Sequence, residues 1–482
     1  MNAVAALLRP RDRVAIALLA LVALVVYGCF RTRYVGGPDS WGYYSTSLVF
    51  RGRSAGLETR FDVERFPAVA PLAYTVLHGR IVPFGQPGYP ALMAVAGMLG
   101  LEFWVNPVLG ALSIVLIYVS LLRTARPAIA FALAAAWAAC PIVCWASVKV
   151  MSDLAACVFP LLGYLLLSSG RIGGAGAALG FSLAVRPTNL FLIPAFAWMA
   201  RRVRRVRPFA IGFVVAVSAY GIHNWIRNGA PWVTTYNAKT DEVLSSDVAP
   251  KLFLWFLRTS FGVLSAPISA LFVIGVAQRR WSDWPLLLWI ALPLAFYSNV
   301  MATGDVWWYS RYLLPSYPAV FLLSGTGAEY VVRHLEARRP GFVESRRVGV
   351  AAALAWAVLV FGYFGKKNLD WGFFTTRRAL DSYTNSLAVA GAVPSGSVVG
   401  SSQYSGALRL YGHLETFKIG AAKATAFVSY CLEHAIPLFV IVEPGDNREF
   451  CDWLEENHTL REAMTLPASP SSHLYRVEPK AH

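Results

Sequence analysis

Residues 172–200 read IGGAGAALGFSLAVRPTNLFLIPAFAWMA, an apolar run with one charge, Arg186, near its middle. Arg171 precedes it, and Arg201, Arg202, Arg204, Arg205 and Arg207 follow. Basic loops between apolar spans mark the cytoplasmic side of a membrane. A segment that begins and ends on that side must cross outward and return. The residue before a proline is pushed out of helical geometry. Arg186-Pro187 therefore predicts a break between two short helices, with Arg186 at the outer end.

The rest of the chain extends this pattern. Of 482 residues, 56% are hydrophobic and 15% charged, against nearly a quarter charged in ordinary soluble domains. The first apolar run, Val14–Phe30, follows Arg9, Arg11 and Arg13 and is long enough to span a bilayer. It reads as an uncleaved first helix rather than a signal peptide, because no A-x-A site follows and more spans come later. Gly88–Gly100 reads as an interfacial helix and Asn106–Leu122 as the second span. Further spans are expected near 127–145, 150–169, 208–226, 259–277, 284–303, 312–331 and 348–365. With the 172–200 hairpin the count is about eleven, with the N-terminus cytoplasmic and the C-terminus outside. Residues 31–87 form a long outer loop whose seven arginines and four acids fit the charge rule poorly, but that rule weakens for long loops. No internal repeat is visible, which weighs against transporters built from repeated halves.

From about Lys366 the composition changes. Residues 366–482 hold 11 Lys/Arg against 12 Asp/Glu, so the remaining residues carry 32 basic and 15 acidic groups of the totals of 43 and 27. The net charge of +16 thus lies in the apolar part, which argues against a nucleic-acid binder. Ser397–Gly400 and Pro437–Glu443 read as buried strands, Ala421–His434 and Asn447–Asn457 as helices. The fold class is mainly α: a polytopic bundle over 1–365 with a small extracytoplasmic α/β domain over 366–482. Cys29, Cys140, Cys144 and Cys157 lie in apolar segments without metal-ligand spacing. Cys431 and Cys451 could pair in an oxidising compartment.

Several outer residues suit chemistry. Asp39, nine residues beyond Phe30, sits in the turn GGPDSWGYY at 36–44. It is a general base or metal ligand, or else the cap of a helix starting at Ser40. Lys149 and Asp153, four apart, would form an ion pair on a helix face, in a site or at the interface. Arg186, Arg227 (in HNWIRNGAP, 223–231) and Arg311 (in DVWWYSRY, 305–312) all fall on the outer side, where a basic cluster would suit a phosphate-bearing lipid. Tyr43, Tyr44, Trp308 and Tyr312 stand beside these charges as substrate-binding candidates; aromatic belts at the interface are the other account of them.

Six stretches together resemble the GT-C superfamily of membrane glycosyltransferases. The nearer resemblance is to its bacterial protein O-mannosyltransferase and aminoarabinose transferase branch. They are PDSWGYY (38–44), GQPGYPALMA (85–94), MSDLAA (151–156), LAVRPTNLFLIP (183–194), HNWIRNGAPW (223–232) and SRYLLPSYP (310–318). SSQYSGALRLYG (401–412) also looks like an outer domain of some relatives. The resemblance implies an inverting transferase in a bacterial inner membrane. Its donor would be a polyprenyl-phosphate sugar and its acceptor a glycan, lipid or protein, with Asp39 as the functional acid and Asp153 as an assisting one. Arg186, Arg311, Arg227 and Lys149 would take the donor phosphate. The protein O-mannosyltransferases carry Asp-Glu where this chain has Asp39-Ser40, which leaves a divalent metal an open expectation. A flippase for a lipid-linked sugar and a non-catalytic scaffold are the rival readings.

Overall fold

The computed structural model describes residues 10–53, 57–235, 249–278, 283–299, 307–341, 345–373, 375, 377–444 and 448–480. They divide into two compact units. One comprises Met1–Arg31, Phe103–His223 and Asp241–Phe374; the other comprises Thr32–Glu102, Asn224–Thr240 and Thr375–His482.

Among the described residues the first unit is helical. Four helices among the described residues are long and apolar enough to cross a membrane: Pro10–Phe30, Glu102–Leu121, Val206–Asn228 and Arg347–Asp370. Two bent pairs pass the same test, giving up to six, and Asp153–Ser168, Ile172–Val185 and Trp284–Tyr297 are shorter apolar helices. These helices make the chain an integral membrane protein. In Pro10–Phe30 the apolar residues are spread around the axis, and Val14, Leu18, Leu21, Val22 and Val25 are exposed, as lipid-facing side chains would be.

Both bent pairs correct an expectation of a continuous span. Residues 127–145 fall in Pro127–Ala139 and Pro141–Val148, bent by 56°. Cys140, before Pro141, leaves helical geometry with φ −58° and ψ 125°, as a following proline favours. Residues 259–277 fall in Ala249–Leu264 and Ala266–Ala277, whose axes differ by 115°. There Ser265 adopts a φ of +66° before a helix with proline in its first turn. The predicted break at Arg186 is present: Ile172–Val185 ends, Arg186 is extended, and a 3-10 turn Pro187–Leu192 leads into Ile193–Arg202.

Glycines set the closest helix approaches. A Cβ on Gly275 would run into the Leu323 carbonyl, and one on Gly327 into the Leu271 carbonyl. The helices Ala266–Ala277 and Tyr317–Arg338 therefore touch backbone to backbone. Small residues allow such contacts between membrane helices, where dispersion replaces the hydrophobic effect as the cohesive force.

In the second unit, the Pro38–Phe50 and Gly88–Gly97 helices accompany a hairpin of β1 (Tyr74–Leu77) and β2 (Arg80–Pro83). A second sheet contains β3 (Val398–Ser401), β4 (Glu415–Lys418), β5 (Leu438–Val442), β6 (His458–Leu466) and β7 (Ser469–Pro479), in the order β4-β3-β5-β7-β6. β3 runs parallel to β4 and β5; β7 is antiparallel to β5 and β6. The two predicted strands are β3 and β5, and the predicted helices are Ala424–Glu433 and Arg448–Asn457. Val389, Val399, Leu408, Phe439, Ile441 and Leu474 share one buried core. Cys431 and Cys451 are not joined by a disulfide.

Candidate functional site

In the first unit, three charged residues from distant parts of the sequence converge. Asp153 opens the Asp153–Ser168 helix, where the helix dipole favours a carboxylate. Arg186, held extended by the proline that follows, donates from Nη2 to Asp153 Oδ1 at 2.7 Å. Arg311 places Nη1 4.0 Å from Asp153 Oδ2. The Asp153 side chain is fully buried, whereas Arg186 and Arg311 keep 12% and 11% exposure. The carboxylate is thus sealed, while both guanidiniums keep a small exposed surface.

Aromatic rings complete the set. Both Arg186 and Arg311 lie over the Tyr312 ring with Cζ 5.3 Å from its centroid. Arg311 also faces Trp145 at 5.9 Å and donates to the Met151 sulfur at 3.6 Å. Tyr297 stacks on Tyr312 at 5.1 Å with 9° between the planes, and its hydroxyl lies 2.6 Å from Thr188 Oγ1. Each cation over an electron-rich ring gains about 0.5–2 kcal/mol and, more usefully, a fixed plane. Asn106 Nδ2 donates to the Lys149 and Met151 carbonyls, which fixes the short turn leading into Asp153.

Sequence spacing alone missed Thr188, Tyr297, Met151, Trp145 and Asn106. Thr188 lies within the quoted LAVRPTN stretch. Tyr297, at the end of an apolar helix, could not be told from belt aromatics. Lys149 is a correction. It caps the end of Pro141–Val148 in extended conformation, and Asp153 begins the next helix. The two therefore do not share a helix face, and the carboxylate faces Arg186 instead. The side chain of Trp308, like residue Asp305, lies outside the described residues.

In the second unit, Asp39 occupies the first turn of Pro38–Phe50, and Gly37, not Asp39, is the N-cap. The capping alternative is thereby corrected. Asp39 is half-buried on the positive end of the helix dipole. One turn on, Tyr43 is buried and meets Tyr89 edge to face at 5.3 Å. Tyr44 is half-buried, and burial, reinforced by Glu102, raises its phenol above the ordinary value. Tyr44 is thus a hydrogen-bonding alcohol at neutral pH rather than a base. Arg227 stands in the last turn of Val206–Asn228, where a cation suits the helix end. Among the described residues there is no cluster of three or more His, Cys, Asp or Glu able to hold a metal.

No family model and no curated protein sequence matches this chain. Solved structures do. The apo crystal structure of ArnT from Cupriavidus metallidurans is similar over 96% of this chain and 97% of that one, with a TM-score of 0.62 at 14% identity. The same enzyme bound to undecaprenyl phosphate matches with a TM-score of 0.59, also at 14% identity, over 96% and 97% of the two chains. The chain has a GT-C fold. The archaeal oligosaccharyltransferase AglB from Archaeoglobus fulgidus, in complex with an inhibitory peptide and a dolichol-phosphate, shares it over 91% of this chain and 70% of its own, with a TM-score of 0.52 at 12% identity. At these identities the likeness is one of architecture. The GT-C fold agrees with the resemblance carried by the six sequence stretches, and the near-complete coverage includes residues of both units.

Proposed function

We propose that this protein is an inverting glycosyltransferase. It moves a sugar from a polyprenyl-phosphate donor to an acceptor hydroxyl on the non-cytoplasmic face of a bacterial inner membrane. The observation that carries the reading is the Arg186–Asp153–Arg311 set. Two guanidiniums, fixed over one tyrosine ring by a sealed carboxylate, present paired donors that suit phosphate oxygens. That a protein of the same fold is known with undecaprenyl phosphate bound supports the choice of lipid.

In this mechanism Arg186 and Arg311 hold the donor phosphate, with Arg227 and Lys149 as further cations and Tyr44, Tyr312 and Trp308 against the substrates. Asp39 accepts the proton of the acceptor hydroxyl. The acceptor oxygen attacks the anomeric carbon as its bond to the phosphate oxygen breaks. The lipid phosphate leaves with the electron pair, its charge met by the arginines, and the anomeric centre inverts. The role of Asp153 in this reading is to aim the two arginines. Residues 366–482 form the extracytoplasmic α/β portion in this reading, with the N-terminus cytoplasmic.

The test uses purified protein, undecaprenyl-phosphate-linked sugars and a cell-envelope acceptor extract, with release of free undecaprenyl phosphate as the readout. Release that requires Arg186 and Asp39 supports the proposal. Movement of intact donor across a vesicle membrane without cleavage would replace it with a flippase.

A further inference from the structure

Within the second unit, the Ser405–Gly412 helix grips the chain on both sides of Asp39. The Tyr411 hydroxyl accepts a hydrogen bond from the Val35 N–H at 2.8 Å. The Val35 carbonyl in turn accepts from Trp41 Nε1 at 3.1 Å. Trp41 is only 1% exposed and lies against the backbone of Gly406, where an added Cβ would stand 2.5 Å from ring atom Cε3. Ser405 Oγ accepts from the Leu72 N–H at 3.0 Å, tying down the far end of the same loop. Asp39 lies between Val35 and Trp41, with both flanks fixed and its own side chain half-buried.

Gly406 is the second residue of the helix, and the Trp41 ring occupies the space that a side chain there would need. The stretch entering the Asp39 turn is hydrogen-bonded through the Val35 N–H to a tyrosine of this helix.

We infer that the Ser405–Gly412 helix is a positioning element for Asp39, with Tyr411 and Gly406 as positioning residues. The inference rests on Asp39 being the base. It gives the C-terminal segment a role in the rate of transfer rather than in acceptor choice alone. A displacement near 1 Å at a reacting group costs on the order of 10²-fold in rate, so modest loosening of the turn is enough to register.

The test compares full-length wild type, Tyr411→Phe and Gly406→Ala in nanodiscs. Backbone hydrogen exchange is followed over residues 32–44, and kcat and the donor KM are measured with an undecaprenyl-phosphate sugar. Tyr411→Phe is expected to speed exchange in that segment and lower kcat about ten-fold, with donor KM little changed. Gly406→Ala is expected to do the same, because its Cβ would press on the Trp41 ring. Unchanged exchange over 32–44 in both variants overturns the inference, as does faster exchange with wild-type kcat. Failure of Asp39 as base shows separately, as wild-type kcat in Asp39→Asn.

Discussion

Arg186 reaches across 33 residues of sequence to donate to Asp153 at 2.7 Å, and the pair is asymmetric in its exposure. The carboxylate is sealed and the guanidinium is not. An ion pair removed from water is stable only while both partners are present, because each charge answers the other's desolvation. The same asymmetry orients the pair toward a ligand. Asp153 fixes the fork, and the guanidinium keeps 12% exposure.

Removing one partner should therefore cost far more stability than removing both. Arg186→Met leaves the Asp153 charge buried and is expected to lose about 3–5 kcal/mol. Arg186→Met with Asp153→Leu should regain part of that loss. Neither protein should bind undecaprenyl phosphate as wild type does. Thermal unfolding in detergent, paired with a lipid-phosphate binding assay, separates the two effects. If the double variant were less stable than Arg186→Met, the sealed-pair account would be wrong.

Tyr312 carries two cations on one ring, at equal distances of 5.3 Å. Tyr312→Phe keeps the ring and is expected to leave lipid-phosphate affinity within about two-fold. Tyr312→Ala removes the surface that fixes both guanidinium planes and should weaken binding by about ten-fold, in line with one to two cation–π contacts. Isothermal titration with a short-chain polyprenyl phosphate would distinguish them. Equal loss in both variants would point to the hydroxyl instead.

Asp39 is half-buried in the first turn of its helix, so its neutral isostere should be tolerated by the fold. Asp39→Asn gives up a dipole interaction of about 0.3–1 kcal/mol. The proton-accepting role is worth roughly 10²–10⁴ in rate. The expected result is a large fall in kcat at nearly unchanged melting temperature. A parallel fall in stability would recast Asp39 as a structural residue.

The sequence made some of this visible and hid the rest, for physical reasons. A charge inside an apolar hairpin is costly enough to announce itself, and the proline after Arg186 announced the break. Asp153 also stood out, but its partner was misread. The four-residue spacing to Lys149 presumes one continuous helix, whereas a helix ends at Val148 and another starts at Asp153. Pairing across 33 residues leaves no periodic trace. The 115° bend at Ser265 was hidden for a similar reason, since its apolar flanks read as one span. In the C-terminal segment the buried parallel strands β3 and β5 were legible as apolar runs. The β6 strand was not, because five of its nine residues are exposed, four of them polar, and it forms no apolar run.

Arg409 shows a different kind of buried cation. Its side chain is 3% exposed, and its donors reach the Glu58 and Val69 carbonyls, Thr416 Oγ1 and Glu415. Burial pushes its pKa down from the ordinary arginine range, and Glu415 opposes that shift. Arg409→Met would take this donor from two carbonyls and leave Glu415 with the Thr59 hydroxyl and the Arg60 N–H. A loss of about 3–5 kcal/mol is expected, with faster hydrogen exchange over residues 57–72. Arg409→Lys should rescue little of it, since one ammonium cannot reproduce the fork. Rescue by lysine would show that only the charge matters.

Gly275 and Gly365 offer a matched pair for the helix-packing argument. At Gly275 a Cβ meets the Leu323 carbonyl, which belongs to the backbone of a neighbouring helix and cannot step aside. At Gly365 nothing lies within 4 Å of the same added atom. Both glycines are helical, so alanine should bring each the same gain in helix propensity, about 0.5–1 kcal/mol. The sign of the outcome then depends on packing alone. Gly365→Ala should hold or raise the melting temperature. Gly275→Ala should lower it, because forcing the two helices apart costs about 1–3 kcal/mol and exceeds the propensity gain. Melting curves in one detergent decide it, and a stabilised Gly275→Ala would mean that the two backbones are not in contact there.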